Sequence, residues 1–193
     1  MEQKAQFNET VMLIDASFLN FVVNDIKKAF EGMLNRPLQT VDLSELMTYL
    51  ALDAGVAEGE KQIQVILIYD KDCTKLVNCN PSGLEKELND TAFKNQFGEF
   101  CFNSFQPEDM ATLEQLYLES LKVVGEAKTV KRLILVSNNE LYGEKVMNSL
   151  PEREDMEVIQ FRMNEPERQI STHWELLIYP VMQALGIRGD ELD

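Results

Sequence analysis

The chain has 193 residues, 45% hydrophobic and 26% charged, enough to bury a core within one α/β domain spanning 1–193. A formal net charge of −15 repels nucleic-acid phosphate and argues against a strong general nucleic-acid binder, though not against an acidic metal site. No apolar run nears ~18 residues and no signal-like leader is visible, so neither a membrane span nor secretion is expected.

Three cysteines, Cys73, Cys79 and Cys101, cannot all pair within the chain. The odd number suits a reduced, cytoplasmic protein in which each thiol serves as a small buried hydrophobe. Their spacing is not that of a zinc knuckle, and the lone histidine, His173, lies far away and reads as a surface residue.

Residues 1–9 are polar and are expected to fray. Val11-Met-Leu-Ile-Asp15 is a continuous apolar run ending in an acid, the pattern of a parallel strand buried on both faces that delivers Asp15 to the carboxyl edge of a sheet. Leu19, Val22, Val23, Ile26, Phe30, Met33 and Leu34 then recur at helical spacing, and Asn35-Arg36-Pro37 ends that helix. Asp42-x-x-Glu45 opens a second helix that Gly55 closes.

Val65-Ile-Leu-Ile-Tyr69 is a second buried strand, again running into an aspartate, Asp70. A turn cluster at 78–83 leads into a short helix through Leu88, and Phe100 to Phe105 alternates as a third strand. Pro107-Glu108-Asp109 predicts the entrance of a helix that Gly125 stops. Arg132 to Val136 is a fourth strand, followed by Ser137-Asn138-Asn139-Glu140 and a helix to Leu150. Glu157 to Phe161 is the fifth strand. Thr172-x-x-Glu175 predicts the cap of a last helix, kinked at Pro180, within a C-terminal helical extension at about 166–188. That extension, with Trp174, Tyr179 and Met182, either covers a sheet face or supplies a homodimer surface, and burial within the monomer is the expectation.

Strands alternating with helices predict a three-layer, Rossmann-like α/β fold, with a mainly parallel five-stranded sheet and helices on both faces. Strand ends then bring Asp15, Asp70 and the Ser137–Glu140 turn to one edge, where paired carboxylates hold Mg²⁺ or Mn²⁺. Asp15 and Asp70 are the candidate catalytic residues and Asp15 the candidate metal ligand. Ser17, Asn20, Ser137, Asn138, Asn139 and Glu140 are the candidate binding residues. Plainer roles stand beside these. Asp15 and the Ser137-Asn138-Asn139 group are placed to cap helices, and Asp70 to be a solvated loop acid. No G-x-G-x-x-G follows a strand, no phosphate-binding G-x-x-x-x-G-K-[ST] occurs, and no G-x-S-x-G supports a serine hydrolase.

Over residues 10–162 the chain resembles the PIN-like nucleases, most of all their NYN branch. The resemblance rests on Leu13-Ile14-Asp15-Ala16-Ser17-Phe18-Leu19, on Val65 to Asp70, and on Leu135-Val136-Ser137-Asn138-Asn139-Glu140-Leu141-Tyr142. It implies a metal-dependent ribonuclease fold with Asp15 as a site acid, and an acid from Glu108, Asp109 or Glu114 as a further ligand. Asn139 and Leu141 stand where the family carries two metal-binding aspartates; asparagine brings no charge and leucine no donor at all. The expectation is therefore a catalytically degraded PIN/NYN-like domain that binds a protein partner or RNA. The alternative is a Mg²⁺- or Mn²⁺-dependent ribonuclease.

Overall fold

The computed structural model describes residues 6–59 and 61–192. Strand β1 (Thr10–Asp15) is buried along its whole length. Its side chains alternate, as the pleat demands: Met12 and Ile14 enter one core, Val11 and Leu13 the other. Helix α1 (Ala16–Leu34) follows with no intervening loop and ends at Asn35 in a left-handed cap at φ 49°. Short β2 (Val41–Asp42) leads into α2 (Leu43–Asp53), whose first turn is capped by the Asp42 carboxylate.

Strand β3 (Lys61–Ile68) returns beside β1. Beyond it β4 (Cys79–Asn80) pairs with β2 as a separate parallel ribbon, and a π-helical turn covers Leu84–Leu88. Strands β5 (Thr91–Asn95) and β6 (Gly98–Phe105) form a hairpin; α3 (Leu113–Glu126), β7 (Arg132–Val136), α4 (Asn139–Asn148) and β8 (Glu157–Arg162) follow. The described chain closes with β9 (His173–Leu176), α5 (Ile178–Ala184) and a 3₁₀ turn at Gly189–Glu191.

These strands form one mixed sheet in the order β5-β6-β3-β1-β7-β8-β9, parallel throughout except for the β5 edge. Taken in chain order, the six parallel strands lie third, second, first, fourth, fifth and sixth, the order of doubly wound α/β sheets. Helices α1, α2 and α5 pack on one face and α3 and α4 on the other, so the layers are helix, sheet, helix. Order reverses between β1 and β7, and the crevice at their carboxyl ends is where such sheets place ligands.

The structure corrects the expected layout in several places. The sheet has seven strands rather than five. Strand β5 is one addition: an exposed five-residue edge offers little apolar signal, and stacking of Phe93 on Phe100 at 4.6 Å is its main anchor. Strand β9 is the other, occupying the predicted start of the last helix. The Thr172-x-x-Glu175 pattern is not a capping box, since the Thr172 hydroxyl meets Gln160 Nε2 at 3.3 Å and the Glu175 carboxylate lies 2.7 Å from His173 Nε2.

Pro180 causes no kink, because α5 begins only at Ile178 and a proline in the first turn gives up no helical hydrogen bond. Helix α3 begins at Leu113 instead of Pro107; Asp109 at φ 44° breaks the chain there, and Thr112 with Gln115 forms the true capping box. Of the cysteines only Cys79 is buried, while Cys73 and Cys101 are half-exposed. His173 is exposed, in keeping with a surface position. Among the described residues no helix is long and apolar enough to cross a membrane.

Candidate functional site

Asp15 ends β1 at the switch point, level with Ile68 of β3, and Asp70 lies two residues beyond that partner. Because α1 begins at the next residue, the Asp15 side chain folds back as its N-cap: Oδ1 accepts the Phe18 amide at 2.8 Å. Oδ2 accepts the hydroxyl of Tyr142 at 2.6 Å. The carboxylate is only 3% exposed. Burial pushes its pKa up, opposed by the bonds from Tyr142 and the Phe18 and Ser17 amides and reinforced by the nearby charge of Asp70.

Tyr142 is delivered by the first turn of α4, where its backbone departs from helical geometry at φ −139°. Its ring lies 5.6 Å from that of Tyr117, whose hydroxyl donates to the Leu13 carbonyl at 3.1 Å. Burial and the Asp15 charge drive both phenols well above the ordinary tyrosine range, so they remain neutral donors. The floor of the crevice is thus a closed network: two tyrosines hold β1 and its terminal acid from the α3/α4 face.

The remaining sequence-predicted residues divide by task. The Ser17 hydroxyl accepts the Asp70 amide at 2.9 Å, and Asn20 Oδ1 accepts the Val77 amide at 2.8 Å; both tie α1 to the loop after β3. Ser137 is buried. Asn138 caps α4 through the Leu141 amide at 3.2 Å. Asn139 turns inward, donating to the Ser137 carbonyl at 3.2 Å, with its Oδ1 packed under Gly143 and unpartnered. Glu140 points to solvent and takes no part in the crevice lining.

Above this floor lies a cleft of about 360 Å³, lined by Asp15, Ser17, Asp70, Thr112, Glu114 and Asn138 together with Phe18, Phe21, Leu113, Leu141 and Tyr142. Asp15, Asp70 and Glu114 therefore share one cleft, yet Glu114 is held by Lys145 in an ion pair. Among the described residues no three His, Cys, Asp or Glu side chains converge to hold a metal ion. A divalent ion needs several carboxylate oxygens at bonding distance. Here both oxygens of the best-placed acid accept hydrogen bonds and Leu141 brings no donor, so the residues present do not fit the metal that the PIN-like resemblance implies.

A family model described as "Family of unknown function (DUF6621)" matches residues 4–192. The chain belongs to this family. Neither the curated proteins nor the solved structures yield a match. In this DUF6621 chain the site residues that sequence reasoning passes over include Tyr142, Tyr117, Phe21, Thr112 and Leu113. No local pattern marks Tyr142: it meets Asp15 because Ile14 pairs with Val136 and the inward face of α4 turns to that seam.

A second groove, of about 520 Å³, runs between the C-terminal ends of α3 and α4 and is lined by Leu118, Glu119, Lys122 and Pro151 among others. It lies at the opposite edge of the sheet, with Glu126, Asn148 and Ser149 also in its lining.

Proposed function

We propose that this protein is a binding module on a PIN/NYN-like scaffold whose catalytic metal site has been closed, and that it engages its partner at the switch-point cleft. The observation that carries this reading is the 2.6 Å hydrogen bond from Tyr142 to Asp15. It engages the Oδ2 oxygen that the α1 cap leaves free, so both oxygens of the acid best placed for a metal accept hydrogen bonds. Asn139 facing inward, and Leu141 standing 76% exposed at the rim, support the same reading, since neither supplies a ligand charge. Parallel strands carrying Asp15 to the sheet edge support the PIN-like ancestry.

The competing reading, a Mg²⁺- or Mn²⁺-dependent ribonuclease, draws on Asp15, Asp70 and Glu114 lining one cleft. It would require Tyr142 to release Asp15 and Lys145 to release Glu114. Incubating the protein with single-stranded RNA and Mn²⁺ tests the choice. The binding-module reading predicts no metal-dependent cleavage above that of Asp15→Asn. Turnover that requires Mn²⁺ and disappears in Asp15→Asn would establish the nuclease instead.

A further inference from the structure

We infer that the switch-point cleft receives a basic amphipathic peptide segment of another protein; this deepens the binding-module reading and rests on it. Three features of the carboxyl edge select that chemistry. The first is the sign of the charge. In doubly wound folds the amides at the start of the first helix ordinarily attract an anion. Here the Asp15 carboxylate occupies them, so the N-terminus of α1 is neutralised from within. The charges left at the edge are mainly negative. Asp70, Glu108, Asp109 and Glu140 form no ion pair among the described residues. Of the cations at this edge Lys145 is paired with Glu114, whereas Lys71 and Arg162 keep their charge and donate to the carbonyls of Asp109 at 3.1 Å and Asn164 at 3.3 Å. A phosphate, a nucleotide or an acidic segment would meet repulsion; a lysine or arginine would not.

The second feature is exposed apolar surface beside those acids. Phe21 is 63% exposed on α1 and Leu141 76% exposed on α4, on opposite walls of the cleft, and Met110 is 95% exposed in the turn before α3. Phe105 is half-exposed at the end of β6, whose carbonyl accepts the Tyr69 amide at 3.0 Å, next to Asp70. Large apolar side chains gathered at one edge and interleaved with unpaired acids mark an interaction surface.

The third feature is size. A cleft of about 360 Å³ accepts one or two side chains, while Phe105 and Met110 stand exposed outside it. A small cation would leave those side chains uncovered, and a folded domain could not enter the cleft. A segment that inserts an apolar anchor between Phe21 and Leu141 and sets basic residues over Asp70 and Glu140 covers both.

The test uses the full chain and three labelled model peptides about two helical turns or longer: one of leucine and lysine, one of serine and lysine with the same charge, and one of leucine and glutamate. Fluorescence anisotropy is expected to show the leucine–lysine peptide binding at least tenfold more tightly than either control. Leu141→Ser and Phe21→Ser should each weaken it at least fivefold, and Asp70→Asn with Glu140→Gln should flatten its salt dependence. Leu52→Ser, an exposed position on α2, should leave it unchanged. Equal affinity for the leucine–glutamate peptide, or binding indifferent to Leu141→Ser and Phe21→Ser, would overturn the inference. So would self-association of the protein that those two substitutions abolish, since a second copy would then be the occupant. Failure here without Mn²⁺-dependent RNA cleavage removes the peptide partner and leaves the binding module standing. Such cleavage, lost in Asp15→Asn, removes both.

Discussion

The two edges of the parallel sheet are finished in opposite ways. At the amino edge three cations are paired: Lys131 with Asp155 at 2.7 Å, Arg132 with Glu157 at 2.8 Å and Arg153 with Asp155 at 2.9 Å. Arg153 also donates to the carbonyls of Gly125, Ala127 and Val130 at 3.1, 2.8 and 3.1 Å, closing the turn between α3 and β7. At the carboxyl edge acids stand unpaired beside exposed phenylalanine, leucine and methionine, and Asp15 is the only deeply buried charged residue among those described. One edge is built to be stable and the other to be met. On the proposed reading, stability falls to Arg153 and recognition to Phe21 and Leu141, with the Asp15–Tyr142 bond at the boundary between the two tasks.

The largest stability effect should come from the amino edge. Arg153→Ala leaves three carbonyls without their donor and is expected to cost about 2–3 kcal/mol in urea unfolding. A cost no larger than that of a surface substitution would erase the distinction between the edges.

Next comes the boundary. Tyr142→Phe strips the buried Asp15 carboxylate of one partner and should cost about 1–3 kcal/mol at neutral pH. The sign with pH follows from linkage. Burial already raises the folded-state pKa of Asp15 above its unfolded value, so the stability this group supports is complete below the unfolded value and falls as pH rises through the folded one. The Tyr142 hydrogen bond lowers that folded pKa, and its removal raises it further. The penalty of Tyr142→Phe should therefore grow from acid toward neutral pH. A penalty independent of pH would mean that the hydroxyl does not act through Asp15.

The smallest stability effects belong to the carboxyl rim. Leu141→Ser and Phe21→Ser replace side chains that already face water and should each change unfolding stability by no more than about 0.5 kcal/mol. A loss above about 2 kcal/mol in either would show that the residue packs structurally and is not held out for a partner.

How much of this was legible in the sequence depended on how far apart the determining residues lie. The strand β1 and helix α1 were plain, because an unbroken apolar run, an aspartate and a helical stripe are local signals. Asp15 could be placed at the sheet edge for the same reason, and its capping role was one of two readings the residue type allowed. Strand β9 was hidden because His173-Trp-Glu-Leu176 is short, and its Thr-x-x-Glu frame imitates a helix start. The closure of the site was hidden more deeply. Tyr142 meets Asp15 only because β7 lies beside β1 and α4 turns its inward face to that seam, two facts of tertiary pairing that no local pattern encodes.

The most direct test of the account is thermal melting of the wild-type protein with and without about 5 mM Mn²⁺, since an ion that binds the folded state specifically must raise the melting temperature by mass action. A carboxylate sealed by Tyr142 predicts coincident melting curves. An upward shift of several degrees, abolished in Asp15→Asn, would contradict it and return Asp15 to the role of metal ligand.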